Sequence, residues 1–183
     1  MEQVEVVNEQ GEATGIIKPR HEVHQAGDWH RTVDVWLVNS KGEILLQQRS
    51  AKKQGNPLKW NSSSAGHVVA GATPLFTARQ ETREEIGLDL PEEAFEFLFT
   101  SLEVFKVDGQ TEPAREFAHV YLAEADATID TLVLQTEEVA DVRWVSIVEL
   151  EQMVVEQHPE LVEHPQQYSK LFDHLKERFK NKK

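Results

Sequence analysis

The chain has 183 residues, 39% hydrophobic and 28% charged, with 32 acidic against 19 basic side chains and a formal charge of −13. That length fits a single domain over 1–183, and no apolar run is long enough to span a bilayer, so a membrane-embedded protein is excluded. The acidity argues against a nucleic-acid polymer or an anionic membrane surface as partner, since both repel a negative protein.

Residues 170–183 reverse the sign, with six bases against two acids. A basic segment complements the negative end of a helix, so this tail is read as a helix end. Cysteine is absent, which removes disulfides, thiolate metal sites and cysteine nucleophiles. The opening MEQVEVVNEQGEATG lacks a basic and then apolar leader, and the expected compartment is the cytoplasm.

In chain order, Val4 to Val7 and Ala13 to Lys18 flank a turn at Asn8 to Gly11 and predict a hairpin. Thr32 to Asn39 and Glu43 to Gln48 flank Ser40, Lys41 and Gly42, predicting a second hairpin. Ala51 to Lys59 is a basic loop broken by Gly55, Asn56 and Pro57, followed by short strand and turn over Trp60 to Val69. Thr73 as N-cap, Pro74 at the first helical position and Gly87 as a left-handed stop bracket a helix ending at Ile86. Phe95 to Val107, Glu116 to Ala123 and Val142 to Val145 read as strands. Ser146 to Val155 and Gln166 to Phe179 read as helices, the second with Leu171, Leu175 and Phe179 in helical spacing. The pattern is mixed α/β.

The central helix carries the chemistry. Glu81, Glu84 and Glu85 stand at i, i+3 and i+4, so three carboxylates share one turn and repel one another unless a cation lies between them. Oxygen donors suit Mg²⁺, with Mn²⁺ an alternative. Leu75, Ala78, Thr82 and Ile86 form the packing stripe. Glutamate-rich helix faces are commonly just solvated, so this observation alone leaves both readings open.

The stretch from Gly66 to Leu88 resembles the box of the Nudix hydrolase superfamily: Gly, five residues, Glu, seven residues, then Arg-Glu-U-x-Glu-Glu-x-Gly-U, with U apolar. Gly66, Glu81, Glu84, Glu85, Gly87 and Leu88 match. Ala72, Gln80 and Thr82 depart from it, standing where the box has Glu, Arg and an apolar residue. Joint loss of the box Glu and Arg avoids stranding one charge, and Gln80 keeps a donor. The segment Glu138 to Val145 also looks like that family. The resemblance implies an α/β/α sandwich around a mixed sheet.

His30-Arg-Thr-Val, the turn Trp60 to His67 and the helix together resemble the Nudix branch of type I isopentenyl-diphosphate isomerase. There His24, His30 and His67 fall at histidine metal ligands, Ala65 at the essential cysteine, and Ala114 at a second-site glutamate. Without cysteine the isomerase route is closed. With that ligand set incomplete, the histidines are read as structural groups, His21 and His24 as loop residues, and His158, His164 and His174 as surface residues.

The expected activity is therefore a Mg²⁺-dependent pyrophosphohydrolase of a nucleoside diphosphate joined to another group. The resemblance implies metal ligation by Glu81, Glu84, Glu85 and a backbone carbonyl at Ala65 or Gly66. Glu116, on a strand expected to face the helix, is the candidate additional ligand or base, with Glu112 weaker. Arg49, Lys52, Lys53 and Lys59 are candidate phosphate contacts, and Trp60 is either a stacking platform or core. Alternatives are a noncatalytic module binding a nucleotide or protein, and an isomerase-like protein. A homodimer is compatible with the edge strands but nothing requires it.

Overall fold

The computed structural model describes residues 2–106 and 110–180. The Val107 end of one predicted strand and Lys182 and Lys183 of the basic tail lie outside them. Strands β1 (Gln3–Val7) and β2 (Ala13–Pro19) form the first hairpin, and helix α1 (Arg20–Ala26) follows. Next come β3 (Trp29–Val38), β4 (Glu43–Arg49), β5 (Trp60–Asn61), β6 (Ser64–His67) and helix α2 (Pro74–Ile86). The chain then runs through β7 (Phe95–Phe105), β8 (Ala114–Glu124) and β9 (Val139–Ser146) to helices α3 (Ile147–Val155) and α4 (Pro165–Phe179).

The main sheet has the order β5-β4-β3-β8-β7, with β6 also paired to β3 and β9 to β4. The β3–β8 pair is parallel and its neighbours are antiparallel, so the sheet is mixed. The second predicted hairpin is short, with Leu37 opposite Leu45 and Val38 opposite Ile44. Nearer its start, β3 turns to β6 instead, with Thr32 opposite His67 and Asp34 opposite Ala65.

Alternation along β3 divides the molecule into layers. Val33, Val35 and Leu37 join Ala78 and Ile86 of α2 in one core. Trp36 and Val38 join Leu150 and Met153 of α3 and Leu171 and Leu175 of α4 in the other. The expected sandwich of helices around a mixed sheet is what forms.

Helix α2 has the predicted bounds. The Thr73 side chain accepts from the Phe76 amide, and Gly87 closes the helix at φ 72°. Helix α1 corrects the loop assignment of His21 and His24. It is seven residues long, lacks a side-chain cap, ends at Gly27 in the left-handed region, and is pinned by fully buried Val23 against Val4 and Val6. Arg178 in the last turn of α4 pairs with Glu96 and Glu124, in keeping with a basic helix end. No helix among the described residues is long and apolar enough to cross a membrane.

Candidate active site

The three glutamates of α2 differ in surroundings. Glu85 is buried, and its Oε2 accepts from the Ala65 amide and from Gln47 Nε2, both at 3.0 Å. Burial pushes its carboxyl up to about 7 despite these bonds. Glu81 is half-buried, and burial with the charges of Glu85 and Glu84 pushes it to about 8. Its carboxylate occupies the space that a Cβ on Gly66 would need, which explains the glycine at that position. Glu84 is exposed and accepts from Gln80 Nε2 at 2.9 Å, so the residue standing in for the box arginine does donate to the cluster. Thr82 is fully buried; it donates to the Ala78 carbonyl (2.7 Å) and meets the Ser64 hydroxyl (2.9 Å). Carboxyl groups raised by burial and mutual repulsion are the condition that a divalent cation relieves.

A second cluster lies on the sheet face away from α2. His24, His30, His67 and Glu116 each offer a ligand atom, all within 4.8 Å of one another. Parallel pairing sets His30 beside Glu116, and the β3–β6 pairing brings His67 opposite Thr32. His24 Nε2 lies 3.0 Å from His67 Nε2, and His30 Nε2 lies 3.5 Å from Glu116 Oε1. His30 is fully buried; its Nδ1 meets the Asp28 carbonyl at 3.0 Å while Nε2 has no hydrogen-bond partner. A carbonyl accepting from Nδ1 turns Nε2 toward the cluster, the orientation of a metal-ligating histidine. Burial first, and neighbouring imidazoles with it, lower His24 to about 4 and His67 well below its ordinary value, keeping both neutral. Three imidazoles and a carboxylate suit a transition metal, so the donor set fits one.

This grouping corrects two expectations. The three histidines expected as structural groups are gathered into one ligand-like set. Glu116 sits with them, hydrogen-bonded by Thr32 Oγ1 (3.3 Å), on the sheet face opposite α2. The place of Glu116 among them is not carried by local sequence pattern, because it lies 92 positions from His24 and is set beside His30 by the parallel β3–β8 pairing. Ala114, on the same strand as Glu116, is buried and adds no donor.

Arg49 feels acids of both clusters. Its Nε donates to Gly55 O (2.9 Å), and burial lowers its pKa although Glu85, Glu138, Asp34 and Glu116 all oppose the shift electrostatically. Lys53 contacts Glu138, and its charge acts on both Glu85 and His67. Lys52 instead meets Glu137 on the exposed rim (3.6 Å), and Lys59 enters the turn through its carbonyl, which accepts from the Arg49 amide. Trp60 is core: it is 7% exposed, packed among α3 and α4 residues, with Arg143 over its ring at 4.5 Å. It is not a stacking platform. Glu112 is half-exposed and pairs with Arg115 (3.7 Å).

His164 also departs from the surface assignment. Its Nε2 meets Asn61 Oδ1 at 2.8 Å, and its Nδ1 lies 3.9 Å from Glu103. Nearby, buried Asp34 accepts from Ser62 (2.9 Å) and Gln167 (3.0 Å), which ties the start of α4 to the sheet. Burial raises the Asp34 carboxyl.

A mixed sheet between helical layers, with a capped helix presenting three glutamates beside a glycine turn, defines a Nudix-type fold. The chain belongs to the Nudix family: the NUDIX domain model matches residues 28–165. It is 38% identical over 182 residues to Nudix hydrolase 3 of Arabidopsis thaliana, a match covering 97% of this chain but 24% of that protein. It thus spans about a quarter of that relative's length. It is 30% identical to an isopentenyl-diphosphate Delta-isomerase of Pectobacterium atrosepticum, covering 84% of this chain and 81% of the isomerase. The crystal structure of DR0079 from Deinococcus radiodurans superposes with a TM-score of 0.68 at 22% identity, covering 96% and 98% of the two chains. The isomerase-named relatives agree with the branch that the histidine and turn segments resemble.

Proposed function

We propose that the protein is a Mg²⁺-dependent hydrolase of the diphosphate bond in a nucleoside diphosphate joined to another group. The observation that carries this reading is the convergence of Glu81 on Gly66 and of Glu85 on the Ala65 amide, with Glu84 on the same helical turn and the charges of Arg49 and Lys53 acting on the site. Glu81, Glu84, Glu85 and the carbonyls of Ala65 and Gly66 would hold the cation. When bound, it neutralises the diphosphate and acidifies a coordinated water. Glu85 has Oε2 anchored by two donors, leaving Oε1 for that role. A carboxylate oxygen of this turn would accept the water's proton as general base. Arg49 supplies a planar donor pair to the phosphates and Lys53 a point charge.

His24, His30, His67 and Glu116 support a second, transition-metal centre in the same protein. They are what favours the isomerase-like alternative, and the absence of any cysteine is what opposes it, because Ala65 has no proton to give or take. Phosphate release from a panel of nucleoside diphosphate derivatives with Mg²⁺, coupled to a phosphatase, tests the main reading. Turnover on at least one member is expected, with Glu85→Gln losing most of it while melting near the unaltered protein. Tight binding without turnover across the panel would leave the noncatalytic module. Formation of the allylic isomer from isopentenyl diphosphate would establish the isomerase.

A further inference from the structure

Glu138 lies outside the box helix and carries no role in the proposed reaction, yet an unbroken run of backbone contacts ties it to the site. The Gln135 amide donates to the Glu85 carbonyl at 3.0 Å, and the Glu138 amide to the Gln135 carbonyl at 2.8 Å. Ser50 N then donates to the Glu138 carbonyl (2.8 Å) and Lys53 N to the Ser50 carbonyl (3.1 Å). The last turn of α2, the 135–138 segment and the start of the basic loop are therefore one hydrogen-bonded frame. Within it the side chains of Lys53 and Glu138 meet, both partly shielded from water.

We propose that Glu138 is a positioning residue that parks Lys53 beside the helix carboxylates as a stand-in cation, so that divalent metal and diphosphate load as a coupled pair. The inference rests on the reading that those carboxylates hold the metal. The ammonium opposes the negative charge of Glu85, while Glu138 adds to the repulsion felt by Glu81 and Glu85. A divalent cation among the same acids repels Lys53 and takes over its neutralising role. The released ammonium is then free for phosphate oxygens, and a diphosphate that draws Lys53 away makes room for the cation. Each ligand lowers the cost of the other, which is reciprocal coupling.

The test uses binary binding so that diphosphate never chelates the metal under study. Mg²⁺ is chosen because a hard cation favours the carboxylates over the imidazole cluster. Calorimetric titration of Mg²⁺ alone should show Lys53→Met binding tighter than the unaltered protein by about fivefold, the low end of ordinary coupling. In the second arm, inorganic diphosphate with chelator present is followed by phosphorus NMR line broadening. Glu138→Gln, which frees the ammonium, should bind it about fivefold tighter, again the low end of such coupling. This arm stands by itself if Lys53→Met does not fold. Mg²⁺ affinity unchanged or weakened in Lys53→Met, or diphosphate affinity unchanged in Glu138→Gln, overturns the inference. If the unaltered protein binds no Mg²⁺, the carboxylate assignment falls and this inference with it.

Discussion

Thr82 is polar where the box has an apolar residue, and its surroundings account for the exchange. Its hydroxyl hydrogen goes to the Ala78 carbonyl, so the Ser64 hydroxyl donates to Thr82, and both residues are fully buried. Thr82→Val restores the family pattern and fills the same volume, yet it leaves Ser64 without its acceptor. An unsatisfied buried hydroxyl costs about 1–3 kcal/mol, whereas removing both partners is close to neutral. Thr82→Val should therefore lower stability in urea unfolding, and Ser64→Ala with Thr82→Val should recover most of the loss. Equal stability of single and double variants would show that the two hydroxyls do not act as a pair. This pair was not legible in the sequence: Thr82 shows as a departure, but its reason lies 18 positions away on another element.

Elements were legible in proportion to their local punctuation. Helix α2 announces itself through Thr73, Pro74 and Gly87, each acting within a few residues. Helix α1 has no such cap and owes its existence to Val23 in a satellite core with β1, a tertiary cause that local pattern does not carry. The parallel β3–β8 pairing is equally silent in sequence, and it is what sets Glu116 among histidines and not beside α2. Gly87 also serves an unexpected second element. A Cβ there would approach the Val133 Cβ at 2.8 Å and its backbone nitrogen at 2.9 Å, while Val133 N donates to the Ile86 carbonyl (3.2 Å). Gly87→Ala combines left-handed strain with displacement of the segment that leads to Glu138. A loss of about 1–3 kcal/mol is expected from such strain, read as a lower denaturant midpoint, together with weaker Mg²⁺ binding. A stability loss with Mg²⁺ affinity intact would separate the helix stop from the site.

At the scale of the whole molecule, the raised glutamates make stability depend on pH in a direction that metal reverses. Carboxyls that titrate at 4.5 when unfolded are held to about 8 for Glu81 and about 7 for Glu85. The native state therefore binds more protons than the unfolded chain in that interval, so metal-free stability falls as pH rises and levels off above about 8. His24, lowered from 6.5 to about 4, and His67, also lowered, act in the opposite sense, adding stability as pH rises toward 6.5. Above 6.5 their contribution is complete, and the glutamate slope stands out. His164 and Asp34 are raised and share its sign, but they lie across the sheet from α2, so the difference between metal-free and Mg²⁺-loaded protein isolates Glu81 and Glu85. Melting followed by fluorescence should show the metal-free midpoint falling between pH 6.5 and 8.5. Saturating Mg²⁺ should restore it most at pH 8.5, where the ligands are ionised, and least at pH 6, where protons compete for them. A Mg²⁺ stabilisation that shrinks as pH rises would refute the carboxylate turn of α2 as the metal site.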